Sequence, residues 1–167
     1  MKKDFFKDAK IKFPAYEPWI SNEDKKIVNK TLNQSMLTLG PQLEKFESDF
    51  CKYSNSKYAI AVSNCTAALH LSLMALGIKK GDEVIIPDLT FVADANAVLA
   101  CNAKPIIADI NKENFFLSIS NIKKNITKKT KAIIPVHIYG QVCNIEEILD
   151  VAKDNNLKVI EDCAHAV

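Results

Sequence analysis

Five short apolar runs recur along the chain, at Tyr58–Val62, Glu83–Pro87, Lys104–Ala108, Lys131–Val136 and Leu157–Glu161. Each has the length and the β-branched content of a buried strand. Between them, at Thr66–Leu76, Val92–Cys101, Ser118–Asn125 and Ile145–Asn155, the composition and apolar spacing predict helices. Strands alternating with helices predict an α/β fold, a mostly parallel sheet with helices on both faces and right-handed crossovers. No repeat, low-complexity tract or linker interrupts the series.

Before that series the pattern is helical. The segment to about Glu17 is weakly patterned, and Pro14 and Pro18 argue against a continuous helix. Ser21 with Asp24 three residues on predicts a capped helix start, followed by Ile27, Val28 and Leu32. Pro41 opens a second helix with an apolar face of Leu43, Phe46, Phe50 and Tyr53. The expected organisation is therefore an N-terminal helical segment, 1–54, and an α/β portion, 55–167.

Composition narrows the function classes. A chain of 167 residues with 48% hydrophobic and 25% charged residues suits a globular domain. A net charge of +2 gives no ground for nucleic acid or membrane attraction. All 22 basic residues are lysine, so the bidentate guanidinium clamp for carboxylate or phosphate is missing from this stretch. The five cysteines lack C-x-x-C spacing and read as reduced thiols, which points to the cytoplasm. No apolar run reaches membrane-spanning length, and the first residues have no signal-peptide core.

Chemistry concentrates where the expected strands end. The stretch Ala59–Leu71 runs from strand through Ser63-Asn64 into an Ala/Leu-rich helix closed by Gly77. The unpaired N–H groups at such a helix start attract anions, and small side chains at Ser63, Cys65 and Ala67 let a phosphate approach. Taken alone, the same residues also suit an ordinary capped helix. The other strand ends carry Phe91, His137 and Glu161-Asp162 followed by His165. Each has an ordinary reading as core, cap or ion pair; together they mark one ligand-binding edge.

The sequence lacks G-x-G-x-x-G, G-x-x-x-x-G-K-[ST] and G-x-S-x-G, and its three histidines have no metal-ligand spacing. A phosphate cradle, an aromatic platform and a strand-end aspartate instead suit pyridoxal 5′-phosphate (PLP), whose ring nitrogen an aspartate keeps protonated.

Leu39-Gly40-Pro41, Ser63-Asn64-Cys65-Thr66-Ala67-Ala68, Gly81-Asp82-Glu83-Val84-Ile85-Ile86-Pro87, Thr90-Phe91-Val92-Ala93, Pro135-Val136-His137 with Gly140, and Ile160-Glu161-Asp162-Cys163-Ala164-His165-Ala166 follow one another with the spacing of a known family. The chain resembles the N-terminal part of the DegT/DnrJ/EryC1/StrS PLP-dependent sugar aminotransferases, of fold-type I, the aspartate aminotransferase fold. The resemblance implies that Cys65, Thr66 and Ala67 lie at the cofactor phosphate, with Thr66 and Ala67 contacting it mainly through backbone N–H. It implies that Phe91 stacks on the pyridine ring, Asp162 pairs with the ring nitrogen and His165 lies near the ring hydroxyl. Cys65 stands where glycine is common, and Asp94 where threonine or serine is frequent.

The resemblance also implies an amino donor, with glutamate expected, a nucleotide-linked keto-sugar as acceptor, and a homodimer for the full-length protein. The family's Schiff-base lysine follows a Ser-Phe-containing strand downstream of the Asp162 motif, so it is expected beyond Val167. Residues 55–167 are then a partial PLP-binding large domain. The alternative is a non-catalytic truncated fragment or split-gene subunit that lacks that lysine.

Overall fold

A computed structural model of the chain describes residues 18–166; the weakly patterned segment up to Glu17 lies outside them. The chain divides into two compact units, Met1–Ala61 and Val62–Val167.

In the first unit, α1 (Asn22–Leu32) starts as its sequence predicts. The Ser21 side chain accepts from the Asp24 N–H at 3.1 Å, and the Asp24 carboxylate accepts from the Ser21 N–H at 2.7 Å, completing a capping box. Helix α2 (Pro41–Ser54) has proline at its first position, and Asn55 ends it in the left-handed region at φ 51°. Phe46, Phe50 and Tyr53 form a ring ladder with centroids 6.0 and 6.3 Å apart. The strand expected at Tyr58–Val62 is not formed. No strand of the described residues pairs with this segment, Tyr58 and Ile60 are exposed, and the Ala61 N–H donates to the Glu47 carboxylate at 2.8 Å. Apolar content favours a strand only where a neighbour supplies the ladder.

The second unit opens with α3 (Cys65–Ala75) and continues β1 (Glu83–Pro87), α4 (Ala93–Ala100), β2 (Lys104–Ala108), α5 (Ile119–Asn125), β3 (Thr130–Ile133), α6 (Ile145–Asp154) and β4 (Lys158–Val159). All four strands are parallel, in the order β2-β1-β3-β4. Side-chain alternation divides the core. Val84, Ile86, Ala132 and Ile134 pack under Leu69 and Leu73 of α3 and Ala97 and Val98 of α4. Ile85 and Ile133 face the other way, against Ile122 of α5 and Ile148 and Val151 of α6. Helices thus cover both faces, as expected of a buried parallel sheet.

Gly77, at φ 76°, closes α3: its own N–H reaches the Met74 carbonyl and the Ile78 N–H reaches that of Leu73. Leu73 and Ile78 are both buried beside this Schellman turn. The chain leaves β1 toward β2, then returns across the sheet to β3, so direction reverses between β1 and β3. A crevice for ligands opens outside the carboxyl ends of the strands at such a point. Pairing continues past β3 and β4: the Asp162 N–H donates to the Pro135 carbonyl at 2.9 Å and the His137 N–H to the Asp162 carbonyl at 3.0 Å.

Candidate functional site

Asp162 is fixed by that extended ladder and is 5% exposed. Its Oδ1 accepts from the Ala164 N–H at 2.9 Å and from the Cys65 thiol at 3.4 Å, which leaves Oδ2 for a ligand. Cys65 is the first residue of α3, so the strand-end carboxylate and the helix start form one wall.

At that helix start Asn64 is the N-cap, and its side chain accepts from the Ala67 N–H at 2.9 Å. The Ala67 donor is therefore engaged within the cap. Among the described residues the N–H groups of Cys65 and Thr66 have no partner, so these two carry the anion-binding capacity of the helix start. The Cys65 thiol is pushed up to about 11, by burial first and then by the negative charge of Asp162. It stays protonated and serves as a donor rather than as a nucleophile.

Phe91 follows β1 and is 71% exposed, so its ring can cover a ligand. His165 is exposed on the loop after β4; its Nδ1 accepts from the Tyr139 N–H at 3.4 Å and its ring stacks on Tyr139 with centroids 6.0 Å apart. The structure thus joins Cys65 to Asp162 directly, sets Thr66 beside Cys65, and puts Phe91 and His165 on loops at the same carboxyl edge.

Three features here go beyond the sequence reading, which set His137 on the ligand-binding edge, noted Asp94 as a departure from threonine or serine, and gave Tyr139 no part. His137 is buried, with Nδ1 accepting from the Cys143 N–H at 3.1 Å; Nε2 therefore carries the proton and donates to Glu161 at 2.9 Å. This pair braces the strand end that precedes Asp162. Tyr139 sits in the left-handed region at φ 55°, a strained conformation for an aromatic residue. Asp94, in the first turn of α4, has no exposed surface. Its Oδ2 takes the Thr90 hydroxyl, and its Oδ1 is buried without a partner. Burial first, then the neighbouring charge of Asp162, push Asp94 up to about 6 against the opposing Thr90 hydrogen bond. A charged residue amid Ala93, Ala95 and Ala97 is the sequence signal that marks it. A separate hollow of about 330 Å³, lined by Asn111, Asn114, Ser118, Asn144 and Glu147 among others, includes none of these groups.

A parallel sheet wound on both faces, with a buried aspartate and an open helix start at its switch point, has the large-domain architecture of fold-type I pyridoxal phosphate enzymes. Over residues 18–167 the chain matches the DegT/DnrJ/EryC1/StrS aminotransferase family, and it belongs to that family. GDP-perosamine synthase of Escherichia coli O157:H7 is 46% identical over 154 residues, covering 92% of this chain and 42% of the relative. The S. venezuelae protein DesV, solved in complex with a ketimine intermediate, superposes with a TM-score of 0.84 at 35% identity, over 86% of this chain and 39% of its own. NtdA of Bacillus subtilis, solved with bound PMP, gives 0.82 at 37% identity, over 95% and 39%. The chain thus spans about two fifths of the length of the relatives it matches.

Proposed function

We propose that this chain is the N-terminal part of a pyridoxal phosphate-dependent aminotransferase that moves an amino group, with glutamate as donor, to a nucleotide-linked keto-sugar. Family membership and the sugar-nucleotide chemistry in the relatives' names support the class of reaction. The observation that carries the reading is Asp162: a buried carboxylate, locked by a strand ladder, with one oxygen left free beside an anion-receptive helix start.

These residues fit the cofactor. The Cys65 and Thr66 N–H groups would hold its phosphate, Phe91 would cover one face of the ring, and His165 would border the ring hydroxyl. Asp162 would hold the proton on the ring nitrogen, and its own orientation is fixed by Ala164 N–H and the Cys65 thiol. When bound, PLP supplies an electron sink and a carrier for the amino group. Among the described residues no lysine comes within ion-pairing distance of Asp94 or Asp162. On this reading the Schiff-base lysine lies beyond Val167, as the family resemblance implies. Residues 55–167 form the cofactor-binding part, 1–54 the N-terminal helical segment, and the whole protein acts as a cytoplasmic homodimer.

The test is Asp162→Asn in the full-length protein. The expected result is loss of transaminase turnover by at least about a hundredfold, the scale of a group that stabilises developing charge, with thermal unfolding nearly unchanged. Normal turnover by the folded variant would show that Asp162 has been given the wrong role.

A further inference from the structure

We propose that Tyr139 is a positioning residue for the cofactor site: its backbone N–H and its ring together hold His165 in the tautomer protonated on Nε2, the nitrogen that would meet the ring oxygen of the ligand. The proposal rests on the cofactor reading above for the ligand, and on contacts within this chain for the hold on His165.

Three observations on one loop lead to it. The Tyr139 N–H donates to His165 Nδ1 at 3.4 Å, which occupies the lone pair there and leaves the ring proton on Nε2. The Tyr139 ring lies against the same imidazole, with centroids 6.0 Å and planes 25° apart, so the histidine is fixed at two points rather than one. Tyr139 adopts φ 55° and ψ 32°, a left-handed conformation that a bulky residue avoids unless its surroundings impose it.

The loop does impose it. At the loop's start the His137 N–H is held by the Asp162 carbonyl, and His137 Nδ1 accepts from the Cys143 N–H at 3.1 Å, which closes the loop on itself. Between these points the Gln141 N–H returns to the Ile138 carbonyl at 3.1 Å, and Ile138 and Cys143 are buried. Core packing does not account for the strain at Tyr139, which is itself 66% exposed. What the conformation accomplishes is the contact with His165. The same loop treats its other histidine alike: in His137, as in His165, a backbone N–H of residues 138–143 takes Nδ1 and leaves the proton on Nε2.

An imidazole fixed in this way offers a donor at Nε2 and nothing else. Under the cofactor reading, the group that His165 borders is the oxygen of the ring hydroxyl, which accepts a hydrogen bond when ionised. A histidine that exchanged tautomers would present a donor and a bare lone pair by turns, and would favour neither state of that oxygen.

The experiment takes the full-length apo protein with ¹⁵N-labelled histidine at about pH 8, above the ordinary histidine range. Long-range ¹H–¹⁵N spectra read each imidazole nitrogen as protonated or bare, and a His165→Asn sample assigns the signals of His165. Wild type should show Nε2 protonated and Nδ1 bare. Tyr139→Phe keeps the ring, and should keep both this pattern and the affinity for pyridoxamine 5′-phosphate. Tyr139→Gly relaxes the left-handed backbone and removes the ring. It should move both nitrogens toward the averaged signal of mixed tautomers and weaken pyridoxamine 5′-phosphate binding by about two- to tenfold, the range of one aromatic contact. Tyr139→Asn, which also tolerates the left-handed region, takes its place if the glycine variant does not fold. A wild-type His165 protonated on Nδ1 or averaged, or a Tyr139→Gly variant that keeps the tautomer or the affinity, would overturn the proposal; a merely structural tyrosine would change unfolding alone. Either result leaves the cofactor reading standing as long as the wild type binds the ligand. If the wild type binds none, that reading falls and the role of Tyr139 at the ligand falls with it.

Discussion

An ionised Asp94 costs the fold free energy, and the cost can be read as a pH dependence. In the native protein its carboxyl titrates at about 6, against 3.8 for an unperturbed aspartate. The difference is about two units at about 1.4 kcal/mol each, or about 3 kcal/mol. Asp94 lies in the first turn of α4, where the helix dipole favours an anion by only about 0.3–1 kcal/mol, so burial and repulsion win. The native state binds the proton more tightly than the unfolded chain. Stability from this group is therefore fully present below pH 4, declines as pH rises through 6, and is flat above.

Asp94→Asn keeps the shape and an acceptor for Thr90 while removing the titration. Urea unfolding of the apo full-length protein from pH 4 to pH 8 should give superimposable stabilities for wild type and variant near pH 4. The variant should gain up to about 3 kcal/mol by pH 7.5. Profiles that stay parallel across this range would refute the reasoning, because a merely structural role for Asp94 predicts a constant offset.

Two further perturbations separate the helix start from the strand end. Thr66→Pro removes one N–H in the first turn of α3, where proline is otherwise tolerated, and Phe91→Ala removes the exposed ring; titration of each full-length variant with PLP should show weaker binding with unfolding unchanged. His137→Ala leaves the Cys143 N–H without its acceptor and opens a gap in a buried position, so urea unfolding should report a loss of about 2–4 kcal/mol.

Much of the fold was legible because its signals are local. The runs at Glu83–Pro87 and Lys104–Ala108 coincide with β1 and β2, and the capping box at Ser21 with Asp24 forms as its residues dictate. Tyr58–Val62 misled because pairing is not a property of the segment; nothing in its composition says whether a neighbouring strand lies alongside. The engagement of the Ala67 N–H is legible in the sequence, since an N-cap asparagine accepts from the second or third helical residue. Contacts such as Cys65 with Asp162, 97 residues apart, arise from topology alone. So does the burial of Asp94: an alanine-rich helix reveals that a carboxylate is out of place, and only the sheet reveals what it faces.

Among the described residues no ion pair reaches Asp94 or Asp162. The donors that do reach them are Thr90 on Asp94, and the Cys65 thiol and Ala164 N–H on Asp162; all are neutral. Neutral donors orient carboxylates without cancelling their charge, which in a buried position is the dominant cost. Burial therefore outweighs the Thr90 hydrogen bond, and Asp94 is pushed up rather than down.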